Sequence, residues 1–300
     1  MAFVQRIISV KFDLGEGTFT DTGSSSLNLT GLRMSTNITQ PGIPEMAHCS
    51  IRIYGMTLSQ MNQLSTLGQV VTNIKKNLIT VYAGNSDQEP GVIFSGTIFA
   101  AWGDFNSAPD VPFMVEAQAG LIESVAPYSS TNPKGAVAAA DLLAKFAADW
   151  NGGKGIPFVN YGVTTILTDP HLYGSLKNQI FSVLQQARAW WNGGQGNEFA
   201  VWPVNGVRQG QGVPTISAKT GMVQYPTYTQ NGMIVKSIFT QEVIFGGLVK
   251  IESTLKLPLT PNGQWQVLGL SYELDSLVPH GNWFMTMNLV PPGFVGTSPL

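Results

Sequence analysis

Ile8, Val10, Phe12 and Leu14 alternate with Ser9, Lys11 and Asp13, and this period of two returns through most of the 300 residues. Successive side chains of a pleated strand point to opposite faces, so a chain patterned this way must bury one face of each strand. "AHCSIRIY" places Ala47, Cys49, Ile51 and Ile53 on one face, and "SLNL", "LITVYAG", "GVIFSGTIFAAW" and "PFMVEAQAG" extend the series to about residue 120. Turn material such as "NSDQEPG" and "DFNSAPD" separates them. About six strands with no helix alternating between them predict an antiparallel barrel or sandwich.

The middle of the chain has a different period. "AVAAADLLAKFAADW" predicts an Ala-rich helix stopped by "NGG". "SLKNQIFSVLQQARAWW" predicts a second, N-capped by Ser175, with Ile180, Leu184, Ala187 and Trp191 along one stripe. "GIPFVNYG" and "TTILTDP" read as short strands between them. From Phe199 strands return in "FAVWP", "GMIVKSIF", "GLVKIES", "GQWQVLGLSYEL" and "NWFMTMNLV", and "PPGFVGTSPL" reads as a tail without periodicity.

Two places carry apolar side chains beyond what a lone β domain needs. In "IRIYGMTLSQMNQLSTLG" a strand gives way at Gly55 to a short helix. Thr57 is its N-cap, Gln60 completes a capping box, and Gly68 is the expected stop. Its stripe of Leu58, Met61 and Leu64 must be buried, either on its own domain or on a neighbour. In "QWQVLGLSYEL", Trp265 and Val267 share one face with Gly269 and Ser271 while Leu268, Leu270 and Tyr272 occupy the other. A strand apolar on both faces predicts contact with another domain or subunit. Leu58, Met61, Leu64, Trp265 and Val267 are therefore the candidate subunit-interface residues.

Only 11% of the residues are charged, against about 25% in an average soluble protein. A surface this poor in charge fits a protein covered by partners. The net charge of −2 and the lack of a basic cluster beyond Lys75 and Lys76 exclude a field that would hold phosphates. A near-neutral surface lets nucleic acid pass without sticking, because phosphate affinity comes from basic contacts that release counterions. Cys49, the single cysteine, allows no intrachain disulfide or multi-thiolate metal site and reads as a small buried hydrophobe. The N-terminal "MAFVQRIISVKFDL" alternates and so does not read as a signal peptide, and no apolar run reaches the ~18 residues of a membrane helix.

No catalytic motif emerges. His48, His171 and His280 lie far apart in sequence; His171 has Asp169 nearby but reads as a turn residue before a helix. "NGGKG" around Lys154 lacks the spacing of a phosphate loop. Glu116 and Glu123, or Asp141 and Asp149, would have to converge in a cleft to hydrolyse a glycan. Trp102, Trp190, Trp191, Trp202, Trp265 and Trp283 fall mostly where packing uses them. The chain reads as a non-enzyme, with no cofactor and no metal.

The order of elements resembles the baseplate hub proteins of bacteriophage tails, the group that includes the trimeric part of the type VI secretion spike. "IRIYGMTLSQMNQLS" and "ITVYAGNSDQEPGVIFSGTIFAAWGDF" carry the resemblance in the first β region. "ISAKTGMVQYPTYTQNGMIVKSIFTQEVIFGGLVKIES" and "GQWQVLGLSYELDSLVPHGNWFMTMNLV" carry it in the second. The resemblance implies a mainly β, α+β overall fold, with two antiparallel β-barrel domains of tail-tube type around an α+β segment. The expected units are 1–120 with a helix at 57–67, 121–198, 199–290, and a tail at 291–300. It further implies a structural virion protein of the tail baseplate that forms a homotrimer, a pseudo-sixfold ring between the hexameric tail tube protein and the trimeric central spike protein. Other baseplate proteins would surround it, and DNA would pass through its channel without specific binding; no membrane insertion is implied. The competing readings are a carbohydrate-binding or peptidoglycan-cleaving tail-tip protein, and another tail component such as a distal tail or tube protein.

Overall fold

The computed structural model describes residues 4–42, 45–66, 76–193, 197–208, 212–254 and 263–294. The first part runs β1 (Arg6–Asp13), β2 (Ser26–Leu29), β3 (Met34–Gln40), β4 (His48–Tyr54), α1 (Leu58–Leu64), β5 (Leu78–Asn85), β6 (Gly91–Gly103) and β7 (Pro112–Gln118). The middle contains α2 (Leu121–Val125), β8 (Ala136–Ala138), α3 (Ala139–Ala148), α4 (Trp150–Gly153), β9 (Phe158–Asn160), β10 (Ile166–Thr168), α5 (Leu176–Ala187), β11 (Ala189–Asn192) and β12 (Phe199–Pro203). The last part is β13 (Thr215–Ile216), β14 (Thr227–Tyr228), β15 (Met233–Ile238), β16 (Leu248–Ile251), β17 (Gln264–Ser276) and β18 (Trp283–Val290).

The architecture is mainly β with large antiparallel sheets, as the alternation predicts, but the two closed barrels are not formed. Among the described residues the first and last parts share one sheet of order β14-β15-β18-β17-β3-β4-β7-β6-β5-β1-β2, with β16 and β13 added beside β17. The junction is the β3–β17 ladder, from Met34 opposite Ser276 to Gln40 opposite Leu270. Because β3 spends its second edge on β17, the first part cannot close on itself. The sheet instead curls until β1 lies against β17 without a ladder between them. The inward residues of both parts, Val10, Ile38, Ile51 and Val115 with Val235, Val267, Tyr272 and Met285, make one continuous core.

β17 also explains why its sequence looks apolar on both faces. A β-bulge between Val267 and Gly269 inserts an extra residue, Leu268, and the phase of alternation flips there. Trp265 and Val267 before the bulge and Leu270, Tyr272 and Leu274 after it therefore point into the same core. The apparent second apolar face is one face read across a slip of one residue.

The middle part has its own core around α3 and α5, with Leu143, Phe146, Ile180, Val183 and Leu184 buried between them. α5 begins where Ser175 predicts, the Ser175 side chain accepting from the Asn178 amide at 3.3 Å. It ends at Ala187, one turn before Trp191, because Arg188 adopts a left-handed backbone and the next residues leave as β11. Likewise the expected helix at 136 starts as strand β8, and α3 begins only at Ala139. β12 is hydrogen-bonded to β11 and β9. Its alternation joins the two cores: Phe199 and Val201 face the helical core, while Ala200 and Trp202 face the large sheet's core. Phe199 packs against Trp150 and Trp191 with ring centroids 5.6 and 4.8 Å apart.

Candidate functional site

α1 forms as its capping box predicts. The Thr57 hydroxyl accepts from the Gln60 amide at 3.2 Å, and the Thr57 amide donates to Gln60 Oε1 at 3.1 Å. The helix ends at Leu64, where Ser65 turns extended and its amide caps the Met61 carbonyl, short of the expected Leu67; the expected Gly68 stop lies outside the described residues, as do 295–300 of the expected tail. Within the helix, Met61 and Leu64 are buried in the chain's own core, Leu64 with 0% exposure, while Leu58 is 59% exposed. Trp265 and Val267 are buried too. A side chain without accessible surface offers nothing to a neighbour, so of the five expected interface residues only Leu58 is placed to meet one.

The grouped carboxylates do not make a cleft. Glu123 is 2% exposed at the start of the middle part and accepts from the Asn151 amide at 2.6 Å. Burial, the largest influence, raises its carboxyl above the usual range, opposed by the backbone amides that bond it. Glu116 lies on the outward face of β7 instead, 3.1 Å from His48 Nε2, and accepts from the Ser50 hydroxyl at 2.7 Å. Asp149 accepts from the Tyr128 hydroxyl at 2.5 Å, and Asp141 is exposed on α3. Asp169 accepts from the Gly135 amide at 2.6 Å and adopts a left-handed backbone, so its carboxylate is bonded across to the loop before β8. His280 is exposed at a left-handed position, and Lys154 reaches the Leu14 carbonyl at 3.5 Å. Cys49 is fully buried, and desolvation pushes its thiol up to about 12. Among the described residues no group of three His, Cys, Asp or Glu side chains could hold a metal ion, and no helix is long and apolar enough to cross a membrane.

What the structure does assemble is a surface. Seven strands, β15-β18-β17-β3-β4-β7-β6, present one outward face, and their registers align in rows. One row runs Ile238, Phe284, Glu273, Asn37, Ser50, Glu116, Ala100. The next runs Asp275, Ser35, Arg52, Met114, Trp102. The middle of this face is hydroxyl, amide and mixed charge, with Thr39, His48 and Ser50 beside Glu116, and apolar side chains flank it, Ile238 and Phe284 on β15 and β18 and Met114 and Trp102 on β7 and β6, before the sheet continues into β14 and β5. The polar phase of "MSTNITQ" and "HCSIRIY" was the signal for it in the sequence. Strand alternation shows which residues face outward, but only the ladders show that they meet across the β3–β17 junction.

Comparison with known proteins agrees with this architecture. The family described as Baseplate hub gp41 matches residues 7–288. No curated protein sequence matches. Among solved structures, a tail protein from Neisseria meningitidis MC58 superposes with a TM-score of 0.63 at 10% identity, covering 96% of this chain and 97% of that one. The 43 kDa tail protein of prophage MuSo2 from Shewanella oneidensis gives 0.57 at 8% identity, covering 95% and 97%. A component of the type VI secretion system of E. coli, described as similar in structure to the bacteriophage T4 tail proteins gp27 and gp5, gives 0.54 at 9% identity, covering 96% and 74%. At these identities the likeness is one of fold, and it extends over nearly the whole chain. With the family match spanning both β parts and the middle between them, the chain belongs to the Baseplate hub gp41 family, and its place is the tail baseplate of a virion.

Proposed function

We propose that the chain is a structural hub that assembles as a homotrimer. Three copies, each contributing two β lobes, form a pseudo-sixfold ring that adapts the hexameric tail tube to the trimeric central spike and leaves a channel for DNA. In this reading residues 1–120 and 199–290 supply the lobes, 121–198 the α+β unit between them, and 291–300 a tail laid on a partner. Tube, spike and other baseplate proteins cover the rest of the charge-poor surface. Leu58 lies at a junction between subunits.

The observation that carries the proposal is the continuous outward face of the seven-strand sheet, polar in its middle and without a basic stripe. A wall of Ser, Thr and Asn with balanced charge makes few counterion-releasing contacts with phosphates, so a duplex slides along it. The role is structural: the carboxylates are dispersed, and of the seven tryptophans only Trp102 is exposed by more than a third. The glycan-active reading therefore has a single exposed tryptophan and no converging acid pair among the described residues.

Native mass determination of the purified full chain tests the proposal. A complex of three times the 32.3 kDa chain mass is the expected result. Six times that mass would favour a tube-like component, and a single-chain mass that shifts on adding glycan would favour the carbohydrate reading.

A further inference from the structure

We infer that Glu116, Glu273 and Asp275 keep the outward sheet face from gripping a DNA duplex, each carboxylate neutralising a cation that would otherwise meet a phosphate. The inference rests on the channel reading above and says which side chains make that wall non-adhesive.

The face is not free of cations. The charged residues of its seven strands are Lys236 on β15, Glu273 and Asp275 on β17, His48 and Arg52 on β4 and Glu116 on β7. The registers put Lys236 and His48 in one row, with Thr286, Ser271 and Thr39 between them. Glu273 and Glu116 stand in the neighbouring row, two residues further along the strands, so each reaches a cation of the first row diagonally. Lys236 Nζ lies 3.1 Å from Glu273 Oε2, and His48 Nε2 lies 3.1 Å from Glu116 Oε2. Lys236 Nζ is also 5.0 Å from the centre of the Phe284 ring, which lays the ammonium along the sheet.

Arg52 is neutralised less closely. It shares the third row with Asp275, Ser35 standing between them, and two strand spacings put them about 10 Å apart, near the screening length at 0.1 M salt. Both line one groove of about 650 Å³ on this face, and Glu116, Glu273 and His48 line it too. Three carboxylates thus stand among two fixed cations and one imidazole. A phosphate approaching any of the cations meets a carboxylate already beside it. That like-charge contact offsets what the release of counterions from the duplex would contribute.

The full chain carrying Glu116→Gln, Glu273→Gln and Asp275→Asn tests the inference. Each replacement keeps an oxygen for its present donor: the Ser50 hydroxyl, the Lys236 ammonium and the Asn282 amide. Measured by fluorescence anisotropy with a linear duplex of about 20 bp at about 50 mM salt, the triple variant should bind about tenfold more tightly than wild type or better. The slope of log K against log salt should be about −2, about 0.9 for each of Lys236 and Arg52. Adding Lys236→Gln and Arg52→Gln should abolish the gain. Glu273→Gln alone, the more exposed of the two paired carboxylates, should give about a threefold gain and carries the test if the triple variant does not fold. A triple variant of wild-type native mass and melting temperature that binds the duplex no better than wild type would overturn the inference and leave the pairs as cross-strand ties of the sheet. A closed circular duplex cannot thread a channel, so the assembled triple variant should not bind it. Equal binding of linear and circular duplex, lost on removing Lys236 and Arg52, would uphold the part played by the carboxylates and overturn the channel reading instead.

Discussion

Gly246 stands with φ +82° against the Trp202 indole, and a Cβ built there would lie 2.3 Å from Trp202 Cζ2. Its amide donates to the Val267 carbonyl at 2.7 Å and its carbonyl accepts from the Arg208 amide at 2.9 Å, so the backbone cannot retreat. Gly246→Ala should lower unfolding free energy by about 2–4 kcal/mol, combining overpacking with a left-handed non-glycine residue. Urea denaturation checks this, and an unchanged midpoint would contradict the account of the site. Glu123 makes a different prediction at the same scale. Its carboxyl is raised chiefly by burial, so folding favours the protonated form. The stability this contributes is full below the ordinary carboxylate pKa of about 4.3 and is lost as pH rises through the elevated folded value. Glu123→Gln keeps an oxygen for the Asn151 amide and does not titrate. Wild-type stability relative to this variant should therefore fall as pH is raised from 4, and parallel pH profiles would show that the carboxyl is not perturbed. Neither role was legible in the sequence: a turn glycine and a helix glutamate look ordinary until the Trp202 ring and the Asn151 amide are seen beside them.

α1 was legible because its information is local. Thr57 and Gln60 bond each other's backbone within four residues, and the spacing of Met61 and Leu64 fixes the buried stripe. Thr57→Ala should cost about 1 kcal/mol by removing the cap. Leu64→Ala should cost about 2–5 kcal/mol and Leu58→Ala almost nothing in chain stability, since only the former is core. Denaturation of the three variants orders them, and equal losses at positions 58 and 64 would contradict the placement of the stripe. What the stripe packs on was not local and could not be read: β6 and the core of the large sheet cover it. The same limit hid the bulge in β17. Period-two counting assumes an unbroken pleat, and the extra residue at Leu268 turned one apolar face into two on paper. Helix ends failed for a related reason. Trp191 fits the helical stripe of α5, but pairing of Trp190 and Trp191 with Trp202 and Val201 across β11 and β12 outcompetes the last turn.

At the scale of the whole molecule, the mainly β character, the helical middle and the strand-rich end follow from changes in period along the chain. The joining of both β parts into one sheet does not, because the β3–β17 ladder links residues more than two hundred positions apart that share no local signature. That ladder turns two strand sets into one broad outward face with a polar middle, the face on which the proposed ring rests. End-on electron microscopy of the assembled full chain tests the ring most directly. Class averages with threefold symmetry, six lobes and an open centre are the predicted result. True sixfold averages built from six chains, or single particles with no central opening at any concentration, would contradict it.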